Sequence, residues 1–162
     1  MILVMSGKPR EHHFALAAER NFRDAVYLHD DGRLPNADHL FGIAVECALK
    51  SLFLRFTAVN MDPRPNGKPA KKPWVQDPGT GQVRDYGHLP WLAKDVSLLT
   101  HGRSAARVVA ALGQLSVFAT WSVDDRYLDA AHVVGQEVAQ RRTVAEEIIS
   151  VHEHALITGR LP

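Results

Sequence analysis

The stretch Pro35-Asn36-Ala37-Asp38-His39-Leu40-Phe41-Gly42-Ile43-Ala44-Val45-Glu46-Cys47-Ala48-Leu49-Lys50 decides the fold, and it continues without a break to Phe56. At about 100° per residue, Asp38, His39, Gly42, Glu46 and Lys50 fall within one arc of roughly 120°. Leu40, Phe41, Ile43, Ala44, Val45, Cys47, Ala48 and Leu52 cover the rest. A helix this apolar is enclosed by protein on nearly every side. It predicts the central rod of an all-α bundle. The polar stripe is either a route to a site or a buried salt-bridge seam.

The segments on either side are built to pack against that rod. A first helix is expected from about Arg10 to His29, with Phe14, Ala18, Phe22, Ala25 and Val26 on one face. Asp30-Asp31-Gly32 stops it, Gly32 suiting a left-handed cap. Asn36, just after Pro35, reads as the N-cap of the second helix, which reaches about Thr57. So short a connection makes the two antiparallel.

Residues 58–87 differ in kind. Five of the nine prolines (Pro63, Pro65, Pro69, Pro73, Pro78) lie here, with Gly67, Gly79, Gly81, Lys68, Lys71 and Lys72. A small hairpin fits, Trp74-Val75-Gln76 against Gln82-Val83-Arg84 across Asp77-Pro78-Gly79-Thr80-Gly81. The lysines suit either a phosphate backbone or a solvated charge run. Helical pattern resumes near His88 with Leu89, Leu92, Val96 and Leu99; Gly102 interrupts it, and Arg103 to Phe118 forms another amphipathic segment. Trp121 to Arg126 reads as a corner. A last helix follows from about Tyr127 to Ile157, with Tyr127, Ala131, Val134, Val138, Ala145, Ile148, Ile149 and Leu156 on its core face and Val133 and Ile157 left exposed. The expected organisation is one domain over residues 1–162, a bundle of four to five helices. Residues 1–9 form an N-terminal tail, and residues 58–87 a long loop between the second and third helices.

Composition excludes several classes. With 162 residues the chain can bury a real core. A net charge of +1 sets up no global field toward nucleic acid. The single cysteine, Cys47, sits among apolar residues and reads as a small hydrophobe. One thiol suits a reducing cytoplasm. Met1-Ile2-Leu3-Val4-Met5 is too short for a signal-peptide core, and no apolar run approaches a membrane span, so no membrane partner is expected.

Asn36-Ala37-Asp38 followed by Ala44-Val45-Glu46-Cys47-Ala48-Leu49-Lys50 resembles the second helix of HEPN domains. Tyr86-Gly87-His88-Leu89 and Trp121-Ser122-Val123-Asp124-Asp125-Arg126-Tyr127 resemble later parts of the same family, in the expected order. The resemblance implies a two-fold homodimer. It also implies one of two activities. Many HEPN proteins are metal-independent ribonucleases of toxin–antitoxin and defence systems, marked by an Arg, four to six residues and a His. Others are non-catalytic modules that bind a nucleotide or a partner protein, often beside a minimal nucleotidyltransferase. RNA or a nucleotide, and an antitoxin or nucleotidyltransferase, are the partners so implied.

Arg126-Tyr127-Leu128-Asp129-Ala130-Ala131-His132 matches that signature. A His titrating near neutrality can take the proton of a ribose 2′-hydroxyl or give one to the leaving oxygen. A guanidinium can hold the phosphate and stabilise its growing charge. Two positions depart from the nuclease pattern. Tyr127 follows the arginine where a small polar residue is common, and Val134 stands where some members carry a tyrosine. On one continuous helix, residues six apart point roughly 120° away from each other. Convergence therefore requires Arg126 to precede the last helix. Ser122 with Asp125 offers an early cap, and Asp125 alone a later one. The alternative is a structural corner, with Arg126 paired to an acid and Tyr127 packed.

Asp38, Glu46, Lys50, Tyr127 and His88 complete the candidate binding set. Glu46 and Lys50, spaced i, i+4, form either an intrahelical ion pair or part of a seam reaching the site. His88 caps or orients the next helix. His12-His13 and His152-Glu153-His154 lack the i, i+4 spacing that aims two ligands at one metal, so no metal is expected. Gly79-x-Gly81 lacks the lysine and helix of a phosphate loop, and no cofactor is implied.

Overall fold

The computed structural model describes residues 10–90, 99 and 106–162. The elements run α1 (Arg10–Asp30), α2 (Leu34–Phe56), β1 (Trp74–Gln76), β2 (Val83–Asp85), α3 (Ala106–Gly113) and α4 (Gly135–Thr158), with 3-10 turns at Leu115–Phe118 and Val123–Tyr127. Among the described residues no helix is long and apolar enough to cross a membrane.

Gly32 ends α1 as expected. At φ +78° it allows Arg33 N–H to donate to Leu28 O at 2.8 Å and Gly32 N–H to His29 O at 3.1 Å, the paired bonds of a glycine-capped helix end. The chain turns straight into α2, which therefore starts at Leu34 with Arg33 in the cap position and no side-chain cap. This corrects the N-cap expected at Asn36. Pro35 lies in the first turn, where a missing N–H costs nothing, and Asn36 is already helical.

α2 is the central rod. Phe41, Ala44, Val45, Ala48, Leu49 and Phe53 are fully buried, and α2 touches α1, α4 and the Val123–Tyr127 turn. α1 approaches through small residues, Ala18 and Ala25 being fully buried, and Phe22 tilts against Phe41 with ring centroids 6.1 Å apart.

The hairpin forms one residue out of the expected register. Trp74 pairs with Asp85, Val75 with Arg84 and Gln76 with Val83. Asp77 sets this register, its carboxylate accepting the Gly79 and Thr80 N–H groups at 2.8 Å each. These bonds hold its pKa below the usual carboxylate value. Asn60 bridges to Trp74 through bonds of 2.9 and 3.0 Å, and Tyr86 packs on Phe53 at 4.9 Å. The hairpin is thus tied to the C-terminal end of α2.

Later in the chain two boundaries move. The helical pattern expected near His88 lies mostly outside the described residues; Leu99 is buried. Residues Arg103 to Phe118 give α3 followed by the Leu115–Phe118 turn, described from Ala106 onward. The last helix begins at Gly135, not Tyr127. Ser122 and Asp125 form a capping box, but it opens only the short Val123–Tyr127 turn. Asp129 then caps Ala131 N–H at 3.0 Å, and Ala130 adopts φ +71°, which no helix continues. Tyr127, Ala131 and Val134 are consequently exposed rather than on a core face, and Val133 is half-buried against the core. Ile157 is exposed as expected.

Candidate functional site

A small cleft of about 70 Å³ opens between the first turns of α2 and the segment that precedes α4. Pro35, Asn36, Asp38 and His39 form one wall, and Asp125, Arg126, Leu128, Ala130, His132 and Val133 the other. Arg126 and His132 therefore share one cleft. They can do so because neither lies on α4: Arg126 lies in the Val123–Tyr127 3-10 turn, and His132 in the turn closed by Val133 N–H on Ala130 O at 3.0 Å. Both side chains are exposed.

The structural-corner alternative has a different geometry from the one observed. Arg126 is over the Tyr127 ring, 4.7 Å from its centroid, and no acid pairs with it among the described residues. Tyr127 is 74% exposed rather than packed.

Asp38 forms the floor. It is 3% exposed, and its Oδ2 accepts from Arg141 Nη1 at 2.6 Å. Arg141 is itself held by Val117 O at 2.9 Å and Thr120 Oγ1 at 2.8 Å. The other oxygen, Asp38 Oδ1, is buried without a partner, as is His39 Nδ1. Burial pushes the Asp38 carboxyl above its usual value, against the pull of Arg141 and His132. Burial, helped by Arg126, lowers the His39 imidazole. The cleft is thus lined by an exposed guanidinium, Arg126, and an exposed imidazole, His132, beside Asp38 and His39, which each keep a buried polar atom without a partner.

Trp121 sets the wall in place. Its Nε1 donates to Asp38 O at 3.2 Å, and its ring stacks on His39 at 5.8 Å. It can sit so close only because residue 42 is glycine: a Cβ there would come within 2.0 Å of the indole. Gly42 belongs to the stripe for steric reasons, not polar ones.

Glu46, Lys50 and His88 form a separate cluster, two turns or about 12 Å further along α2. Glu46 accepts from Lys50 Nζ at 2.8 Å, from His88 Nδ1 at 2.9 Å and from Leu89 N–H at 3.3 Å. Both charges are buried, the side chains 6% and 8% exposed. This is a satisfied ion pair that also holds His88 and the Leu89 N–H; the helix that His88 was expected to cap or orient lies outside the described residues. Of the binding set, only Asp38 lines the cleft with Arg126 and His132; Tyr127 lies beneath the Arg126 guanidinium without lining it, and Glu46, Lys50 and His88 lie outside it.

Arg141 and Trp121 were not among the sequence candidates. Arg141 could have been found: it lies three after Val138 and four before Ala145, which puts an arginine on the core face. His152 occupies the same face, buried and bonded to Ser51 Oγ at 3.0 Å, so it points away from Glu153 and His154. Among the described residues no three His, Cys, Asp or Glu side chains gather as a metal would need. Burial pushes the Cys47 thiol up to about 11, so it stays protonated. No family model, curated protein or solved structure matches this chain.

Proposed function

We propose that the cleft is a metal-independent ribonuclease site of a HEPN-like homodimer in a toxin–antitoxin or defence setting. The observation that carries the reading is the convergence of Arg126 and His132 on one solvent-open cleft. In this reading neutral His132 takes the proton of a ribose 2′-hydroxyl. The 2′-oxygen attacks the adjacent phosphorus, the bond to the 5′-oxygen breaks, and that oxygen leaves with a proton from solvent or from His132 of a paired chain. The products are a cyclic 2′,3′-phosphate and a 5′-hydroxyl. Arg126 holds the phosphate and stabilises its extra negative charge.

The test is RNA cleavage in EDTA, because both roles are filled by side chains. Wild type should cut. His132→Ala and Arg126→Ala should each lose about 100-fold or more in rate. His132 is exposed, so its variant should keep its stability within about 0.5 kcal/mol. RNA left intact by wild type, or cut equally by both variants, removes the nuclease reading.

One observation favours the non-catalytic alternative. Tyr127, Leu128 and Val134 are 74%, 57% and 52% exposed beside the cleft. Such a rim suits a partner protein, an antitoxin or nucleotidyltransferase among them. Co-purification of a partner lost on Tyr127→Ser, with no cleavage by wild type, would select this reading.

A further inference from the structure

A second concavity, walled mostly by the carbon stems of basic side chains, lies in the loop between α2 and the hairpin. It measures about 360 Å³, and among the described residues it is lined by Arg64, Lys68, Pro69, Lys71 and Lys72. Four cations thus face one carboxylate, Asp85, which pairs with Arg64 and, at 3.6 Å, with Lys72. Lys68 and Lys71 have no acidic partner among the described residues. In a chain of net charge +1 this is a strong local concentration of positive charge. Like charges held round one hollow repel unless an anion attends them.

The backbone holds them there. Arg64 N–H donates to Lys68 O at 2.9 Å, and Gly67 N–H to Arg64 O at 2.7 Å. Gly67 takes φ +77° to close this turn, and Asn66 Oδ1 accepts Lys68 N–H at 3.0 Å. The Asn60–Trp74 bridge ties both ends of the loop, and Trp74 Nε1 donates to Asp62 O at 2.9 Å. Pro63, Pro65, Pro69 and Pro73 restrict what remains. Pre-organised cations lose less freedom on meeting a ligand than cations on a free loop. Among the described residues the lining holds no aromatic ring on which a base could stack and no carboxylate or amide side chain to accept from base edges. Such a surface contacts phosphates and ignores sequence.

We infer that the Arg64–Lys72 loop is a docking site for the phosphodiester backbone of nucleic acid. For its biological substrate this rests on the ribonuclease reading of the cleft; its binding does not. α2 separates the two sites along its length, about 34 Å for its residues. Only an RNA long enough to run along α2 engages both, so the loop adds local concentration for long substrates and nothing for short ones.

The experiment uses the full chain carrying His132→Ala, so that bound RNA is not consumed. A fluorescent unstructured RNA and the DNA of the same sequence are titrated across a salt series by anisotropy. RNA and DNA should bind alike. Lys68→Glu with Lys71→Glu should weaken both roughly tenfold. Lys68→Ala or Lys71→Ala alone should reduce the log–log salt slope by about one. Reversing Arg20 and Arg160, which lie outside the loop, should change neither. Equal binding and slope for the loop variants would overturn the docking site and leave the cleft untouched. Binding to phosphatidylserine vesicles but to neither oligonucleotide would overturn it too. RNA bound through Lys68 and Lys71 but never cut by wild type would sink the nuclease reading and keep this site.

Discussion

Asp38 and Glu46 are carboxylates on the same stripe of α2, both almost wholly buried at 3% and 5% exposure, yet their surroundings differ. Glu46 spends both oxygens, on Lys50, His88 and the Leu89 N–H. Asp38 spends one on Arg141 and leaves the other bare. A buried polar atom without a partner costs about 1–3 kcal/mol, and a chain under selection for stability alone has easy ways to remove it. The closed cluster is architecture. The open one faces the cleft that holds Arg126 and His132.

That contrast can be broken by experiment. Glu46→Ala leaves Lys50 charged and buried, and should cost about 3–5 kcal/mol in urea denaturation. Asp38→Asn should cost less, about 2–3 kcal/mol, because the amide oxygen still accepts from the buried Arg141 guanidinium, which also keeps Val117 O and Thr120. Equal losses would mean that Asp38 too is purely structural.

A pH titration separates the buried histidines from the carboxylates. The His152 pKa falls to about 4, chiefly through burial. The unfolded chain then binds more protons than the folded one below the ordinary histidine value of 6.5. Stability should be full above that value and fall by roughly 3 kcal/mol as the pH drops towards 4. His39, also lowered, acts in the same direction, and Asp38, raised, in the opposite one. His152→Gln should flatten the decline in thermal melts between those limits; an unchanged slope would remove His152 as its source.

The smallest expected effect sharpens the cleft itself. Ala130 holds φ +71° in the cleft wall, a conformation that costs a non-glycine residue about 1 kcal/mol. Ala130→Gly should therefore stabilise the fold by roughly 0.5 kcal/mol after the entropy of the unfolded glycine is counted. Destabilisation on that substitution would show that the Ala130 methyl packs rather than strains.

Much of the fold was legible because it is written locally. The bounds of α1 and α2, the Gly32 stop and the Glu46–Lys50 pair all depend on residues within a turn or two of each other. The hairpin was legible to within one residue, and the slip came from Asp77, which ties its own turn through backbone N–H groups. The last helix was misread by eight residues at its start, Tyr127 against Gly135. Apolar spacing from Tyr127 to Val138 fits a helix well enough, but nothing in that spacing reveals that Ala130 turns left-handed.

The sequence by itself determined an all-helical protein with α2 at its centre, because period and burial follow from which side chains repeat along one face. It also named Arg126 and His132. Only the tertiary structure decided that they line one cleft, because that needs the chain to turn between two helical segments. Likewise only the packed molecule could bring Arg141 to Asp38 across 103 residues and Trp121 to the Asp38 carbonyl across 83. Contacts at such separation are chosen by how helices pack, and packing is set by the whole core at once.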